Sequence, residues 1–317
     1  MMDITLRQPY SFCQLGRRGN QEDARFPDND SPQGCKPVFV VCDGVGGQDK
    51  GEVASRTVAD AIGKYMSRVD LTRPFTGKDF SKVLDYAYDA LNRAMTRDTR
   101  EMATTLTFVC FHGGGVYCAH IGDSRIYHIR PGVGIINQSD DHSLVNSLVH
   151  SGNITPEEAI NHPQSNVITR CMCYTPKGQS PSSASTLEIK DVQAGDYFFL
   201  CSDGVLHKID DTALYNLLCE EIPDKEKIRR IAEASRNSSD NNTAYLIGVE
   251  QVEEDTAVKP DTQSSDASDG EMVEMVESAD ESATTPITQP NLTAREVAPS
   301  EASAGKKISK FLKSLFG

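Results

Sequence analysis

Five acidic positions in this chain stand where a short apolar run ends, and their spacing suits metal-assisted chemistry. In "VFVVCDGVGG" Asp43 follows a β-branched stretch and precedes a glycine-rich turn, and "YFFLCSDG" repeats that design at Asp203. Asp240 in "NSSDNNTAYLIG" stands just before another apolar run, Asp123 in "AHIGDSRIY" sits between two, and "GNQEDARF" offers Glu22 beside Asp23. Any one aspartate of this kind can be a turn former or a helix cap. Together they offer oxygen ligands with no histidine pair and no thiolate set, the preference of hard divalent cations, Mg2+ or Mn2+, rather than zinc. A few carboxylates suffice for two such ions, because each keeps several waters. In that arrangement Asp43 is expected to bridge the ions, which share an activated hydroxide. Gly44 would bring a backbone carbonyl to the second ion, and the following glycines would leave room for substrate. Neither GxGxxG nor GxxxxGK[ST] is present, which removes the dinucleotide and P-loop readings of "DGVGG".

The elements that must place these groups follow from hydrophobic periodicity. "KPVFVVCD" predicts a buried strand, and Ala54, Val58, Ala61, Ile62, Tyr65 and Met66 mark one face of the helix after it. A second helix runs through Phe80, Val83, Leu84, Ala87, Tyr88, Leu91 and Met95. Strands are expected in "TTLTFVCF", "GVYCAHIG", "SRIYHIR", "STLEIK", "DYFFLCSD" and "TAYLIGVE", with a hairpin loop at Gly113 to Gly115 and a helix around "DDTALYNLLCEE". In "ITPEEAI", Thr155, Pro156 and Glu158 spell a helix start with a capping box. Strands in series, with helices gathered in pairs, predict an α+β fold in which helices cover antiparallel sheets.

The chain has 317 residues and a formal charge of -14, but the charge is uneven. Residues 250 to 305 carry 14 acidic and 2 basic side chains, and the last twelve residues are +4. What remains is mildly acidic, which argues against nucleic acid as a partner. No secretory signal and no apolar run of membrane-spanning length are read, and nine irregularly spaced cysteines suit reduced thiols in a cytoplasm. Cys171 and Cys173 are read as packed thiols rather than metal ligands. Domain organisation is therefore expected as a folded domain over 1-250, a disordered acidic Ser/Thr/Pro linker over 251-304, and a basic amphipathic helix over 305-317. In that last segment Ile308, Phe311, Leu312, Leu315 and Phe316 share one side. Residues 306-317 could lie on an anionic membrane surface or in a groove of a partner protein.

Seven motifs in order, "RRGNQEDA", "VVCDGVGG", "ATTLTFVCF", "AHIGDSRIY", "DHSLVNSLVHSGNITPEEAINHPQSNVITR", "AGDYFFLCSDG" and "SDNNTAYLI", give residues 5 to 249 a resemblance to the bacterial metal-dependent serine/threonine protein phosphatases of type 2C. The resemblance implies a four-layer α-β-β-α sandwich, two antiparallel sheets flanked by helix pairs. It implies hydrolysis of phosphoserine and phosphothreonine on proteins, with a serine/threonine kinase or its substrates among the partners; a monomer is expected, cytoplasmic or peripheral at the inner membrane. By the same likeness Asp43, Asp203 and Asp240 contact one metal, and Glu22, Asp43 and the Gly44 carbonyl the other. Asp123 matches the ligand of a weaker third metal. Asp23 holds waters, Asn241 orients Asp240 or a water, and Arg18 grips the substrate phosphate, a task suited to a guanidinium fork.

Two departures stand out. His207 occupies a position four residues after Asp203 where many relatives carry an acid, and Val45 stands where animal enzymes carry a histidine after "DG". His142 and His162 belong to a segment resembling the family's mobile flap and are expected to pack or to touch substrate. Two alternatives remain open on sequence: an inactive phosphoprotein-binding module on the same fold, and a phosphatase dedicated to one anti-sigma antagonist.

Overall fold

The computed structural model describes residues 1–45, 50–94, 96, 102–160, 162–176 and 178–254. The expected linker beyond Glu254 and the amphipathic segment at 305–317 lie outside the described residues. The first half of the domain contains β1 (Met2–Leu6), β2 (Tyr10–Gln14), β3 (Ala24–Phe26), β4 (Val38–Cys42), β5 (Gly44–Val45), α1 (Gly51–Met66), α2 (Gly77–Ala94), β6 (Ala103–Thr104), β7 (Leu106–His112) and β8 (Gly115–Ile121). The second half contains β9 (Arg125–Arg130), β10 (Gly134–Gln138), α3 (Leu144–His150), α4 (Pro156–Ile160), β11 (Met172–Cys173), β12 (Ser185–Ile189), β13 (Tyr197–Cys201), α5 (Asp203–Leu206), α6 (Asp211–Cys219), α7 (Asp224–Ser235) and β14 (Asn242–Glu254).

Strand alternation decides the layering, because successive side chains face opposite sides of a sheet. On β4, Val38, Val40 and Cys42 pack with Val58, Ile62, Val83 and Leu91 of α1 and α2, while Phe39 and Val41 face the other way. On β13, Phe198 and Leu200 meet Phe39 and Val41, while Tyr197, Phe199 and Cys201 pack under Leu214, Leu218, Ile228 and Ile231 of α6 and α7. Three apolar interfaces therefore separate four layers, helix pair, sheet, sheet and helix pair, as the family resemblance implies. One sheet runs β12-β8-β7-β4-β3, the other β1-β14-β13-β9-β10 with β2 also on β14, and the strand pairs are antiparallel. A small third sheet, β11-β6-β5, lies at the end of β4.

The local expectations map closely onto these elements. The β7–β8 hairpin closes over Gly113 and Gly114, with His112 paired to Gly115. The capping box forms as well: the Thr155 hydroxyl accepts from Glu158 N–H at 3.2 Å, and Glu158 Oε2 accepts from Thr155 N–H at 2.8 Å. One boundary moves. β14 continues to Glu254, because Ile4↔Val252 and Thr5↔Gln251 pair with β1 and Val252 packs against the inter-sheet core. The polar composition after Glu250 conceals that pairing.

Candidate metal and phosphate centre

The carboxylates meet where the two sheets run out. Asp43 follows β4, and its backbone is fixed from the adjoining strand: its N–H donates to Thr105 Oγ1 at 2.9 Å, and its carbonyl accepts from Thr105 N–H at 2.8 Å and from Thr104 Oγ1 at 2.9 Å. Asp203 opens α5 directly after β13, and Asp240 stands two residues before β14. Glu22 and Asp23 precede β3, and Asp123 lies in the turn between β8 and β9.

Glycine is required where these stretches cross. A Cβ on Gly44 would lie 2.5 Å from the Glu22 carbonyl oxygen and 2.4 Å from the Gly51 carbonyl carbon, so the end of β4, the Glu22 loop and the start of α1 touch through backbone alone. A Cβ on Gly204 would sit 1.9 Å from the Asn241 carbonyl oxygen, which explains the glycine after Asp203.

Electrostatics ties the set together. Burial, and then repulsion from Asp23, Asp203, Asp240 and Asp123, pushes the Asp43 carboxyl well above the usual carboxylate range. Burial and neighbouring carboxylates push Asp23 and Asp203 up to about 7 and Asp123 up to about 8, and Glu22 rises as well, chiefly through burial. Arg18 is the basic side chain bonded into the group. Its Nη2 donates to Asp240 Oδ2 at 2.5 Å and its Nε to the Ser239 carbonyl at 3.3 Å, and Asp240 holds its charge against the cost of burial. Arg17 beside it is exposed.

Among the described residues no three carboxylate, imidazole or thiolate groups stand as a closed ligand set. The side chains stand in pairs instead. Arg18 takes Asp240, Ser202 Oγ donates to Asp23 Oδ2 at 2.8 Å, and His207 Nε2 lies 3.6 Å from Asp203 Oδ2. Asp23 Oδ1 and Asp203 Oδ1 are buried with no hydrogen-bond partner among the described residues. Buried anionic oxygens without donors are costly, and a divalent cation is the species that relieves several of them at once. This oxygen-only donor set fits Mg2+ or Mn2+.

Asn241, expected to orient Asp240 or a water, uses its side chain on the neighbouring loop. Its Nδ2 donates to the Leu15 and Asn20 carbonyls at 2.8 and 3.0 Å, and its Oδ1 accepts from Glu22 N–H at 2.8 Å. It staples the Arg18–Glu22 loop to β14, and only its backbone N–H reaches Asp240 Oδ1, at 2.8 Å. His142 packs at the base of the flap: Nδ1 accepts from Gly122 N–H at 3.1 Å, Nε2 lies 2.9 Å from Ser185 Oγ, and the ring stacks on His120. His162 Nδ1 accepts from Gln164 N–H at 3.1 Å. Val45 packs with Ala103, Ile168 and Cys171 in an apolar cluster that also takes in Cys173. Sequence reasoning did not single out Thr104, Thr105, Ser124 or Ser202. Their signal is a hydroxyl beside a carboxylate or on the strand next to one, as in "TT" and "SD".

Comparison with known proteins places the fold. The family model described as "Protein phosphatase 2C" matches residues 20–244. Serine/threonine protein phosphatase PstP of Mycobacterium tuberculosis is 34% identical over 238 residues, 73% of this chain; the match spans 43% of the relative, less than half its length. The solved structure of serine/threonine phosphatase Stp1 from Staphylococcus aureus superposes with a TM-score of 0.67 at 28% identity, covering 79% of this chain and 98% of that one. The catalytic domain of PstP in complex with two manganese ions gives 0.61 at 27% identity, covering 78% and 100%. With the family model matching most of the folded domain and the layers in agreement, the chain belongs to the protein phosphatase 2C family.

Proposed function

We propose that this chain hydrolyses phosphoserine and phosphothreonine on proteins with two divalent cations, Mn2+ or Mg2+, as cofactors. The observation that supports the reading is the pair of buried oxygens, Asp23 Oδ1 and Asp203 Oδ1, without a hydrogen-bond partner among the described residues, in a set of carboxylates where Asp43 feels Asp203 and Asp240 and Arg18 feels Asp240, Asp43 and Glu22. In this reading Asp43, Asp203 and Asp240 hold one cation and Glu22, Asp43 and the Gly44 carbonyl the other, with Asp123 serving a weaker third. When bound, the cations neutralise phosphate charge and lower the pKa of a water enough to make it a nucleophile.

The chain's own groups do the rest. Arg18, exchanging Asp240 for the substrate, binds the phosphate fork to fork and offsets the charge that gathers as the ester oxygen leaves. In this reading Asp23, with Oδ2 held by Ser202 and a buried Oδ1 that has no hydrogen-bond partner among the described residues, would hold water in the site. Asn241 keeps the Arg18–Glu22 loop on β14 so that guanidinium and carboxylates stay in register. Val45 carries no ionisable proton, so the side chain at that position cannot protonate the leaving oxygen.

The reading includes a kinase or its substrates as partners and a cytoplasmic monomer. It also assigns residues 306-317 a contact with an anionic membrane surface or a partner's groove, supported by their basic amphipathic pattern. Among the described residues no helix is long and apolar enough to cross a membrane. Vesicle sedimentation of the full chain against a chain ending at Glu254 tests the membrane contact, with equal pelleting against it. The activity is tested with a phosphothreonine peptide and chelator-treated protein. Phosphate release that depends on added Mn2+ and disappears in Asp43→Asn is expected, whereas no release with Mn2+ overturns the reading.

A further inference from the structure

Two of the carboxylates come from separate turns, Asp43 between β4 and β5 and Asp123 between β8 and β9, and one buried hydroxyl lies between the backbones that carry them. Thr105, 1% exposed, follows β6 and faces the end of β4. Its Oγ1 accepts from Asp43 N–H at 2.9 Å, and its N–H donates to the Asp43 carbonyl at 2.8 Å. The same Oγ1 lies 2.7 Å from Oγ of Ser124, which is fully buried and adjacent to Asp123. The methyl group completes the seat. Gly122 has φ +105, and a Cβ there would lie 2.6 Å from Thr105 Cγ2, so the Gly122-Asp123-Ser124 turn rests on the Thr105 side chain from both sides of its carboxylate.

A hydroxyl can accept from one backbone N–H and still share a second hydrogen bond in either direction, so Thr105 engages Asp43 N–H and Ser124 Oγ at once. Neither bond is replaceable by solvent, because both hydroxyls are buried. Loss of the hydroxyl leaves Asp43 N–H without its acceptor and frees the Asp123 turn, while the backbone bond from Thr105 N–H remains.

We propose that Thr105 is a positioning residue that locks the separation of Asp43 and Asp123, and so sets the affinity of the centre for divalent cations. The proposal rests on the metal-centre reading above and names the residue that tunes it. Groups hydrogen-bonded behind metal ligands typically change metal affinity by about 10- to 100-fold when removed.

The strand that begins just after Thr105 supplies a matched control. Thr107, fully buried on β7, also bonds a β4 backbone: its Oγ1 accepts from Val41 N–H at 3.2 Å and donates to the Val41 carbonyl at 3.0 Å. It does so two residues deeper, away from the carboxylates. Mn2+ titration calorimetry on the chelator-treated full chain, with melting temperatures taken in parallel, separates positioning from general stability.

Thr105→Val is expected to weaken Mn2+ binding by about 10- to 100-fold, Thr105→Ser to restore most of it, and Ser124→Ala to weaken it in the same direction. Thr107→Val should lower the melting temperature while leaving Mn2+ affinity near that of the wild type. If Thr105→Val binds Mn2+ as the wild type does, or if the Thr105 and Thr107 variants lose affinity in proportion to their loss of stability, the proposal is overturned. A folded wild-type chain that binds no Mn2+ contradicts the metal-centre reading itself, and the positioning role with it.

Discussion

Arg18 Nη2 and Asp240 Oδ2 are 2.5 Å apart, joined by a charge-assisted hydrogen bond across 222 residues of chain. The Arg18 side chain is 45% exposed and that of Asp240 23%, so the pair sits at the mouth of the centre and can exchange partners. In the proposed reading a phosphate would compete for the guanidinium while a cation would compete for the carboxylate. Arg18→Ala is therefore expected to lower kcat/KM for a phosphothreonine peptide by about 10- to 100-fold, the worth of a charged hydrogen bond of about 1.5–3 kcal/mol. Arg18→Lys should recover only part of this, because an ammonium lacks the planar fork. Steady-state kinetics decide, and wild-type kcat/KM in Arg18→Ala would remove Arg18 from substrate binding.

Asp43 is the most crowded carboxylate, with burial and four acidic neighbours all disfavouring its charge. Asp43→Asn relieves that repulsion while deleting the proposed bridging ligand. In chelator the variant should melt higher than the wild type, by about 2–4 °C for each kcal/mol relieved. Added Mn2+ should then stabilise the wild type and leave the variant unchanged. Calorimetry showing a less stable variant that still responds to Mn2+ would contradict the bridging role.

Away from the centre, Asp196 gives a pH signature with a fixed sign. Burial raises its pKa, but bonds from His128, Arg130 and Gln193 N–H outweigh that and hold the carboxyl at about 2. An unfolded aspartate titrates near 3.9. The folded value is the lower one, so this contribution to stability is complete above about pH 4 and is lost as pH falls through about 2. Urea midpoints of the wild type should fall more steeply than those of Asp196→Asn between those limits. Parallel curves would mean the pairing stabilises nothing.

Close backbone crossings give a steric test. Gly204→Ala forces a methyl against the Asn241 carbonyl at 1.9 Å, whereas a Cβ on Gly19 meets nothing within 4 Å. Overpacking of this kind costs about 1–3 kcal/mol. Gly204→Ala is expected to melt several degrees lower and bind Mn2+ more weakly, because α5 carries Asp203. Gly19→Ala should change neither, and identical behaviour of the two variants would show that α5 does not need its close contact with Asn241.

How much of this was legible in the sequence depended on whether a signal was local. Asp43 and Asp203 could be found because each interrupts an apolar run whose alternation also fixes the strand beneath it. Asn241 reads as one of two adjacent asparagines, and its bonds to Leu15 and Asn20 span more than 220 residues and leave no periodic trace. Helix α7 was not anticipated because "DKEKIRRIAEAS" looks solvated. Its buried side includes Lys227, 4% exposed, whose Nζ donates to the Leu218 carbonyl at 2.6 Å and to Tyr197 Oη at 3.0 Å. The last residues of β14 were hidden by acidic composition, since only pairing with β1 makes them a strand.

The most direct test of the account is anomalous scattering at the manganese edge from crystals of the full chain grown with Mn2+. Two peaks about 3.5–4 Å apart, bounded by Glu22, Asp43, Asp203 and Asp240 with Asp43 between them, are the expected result. A map with no manganese among these side chains, or with the ions bound elsewhere on the surface, would contradict it.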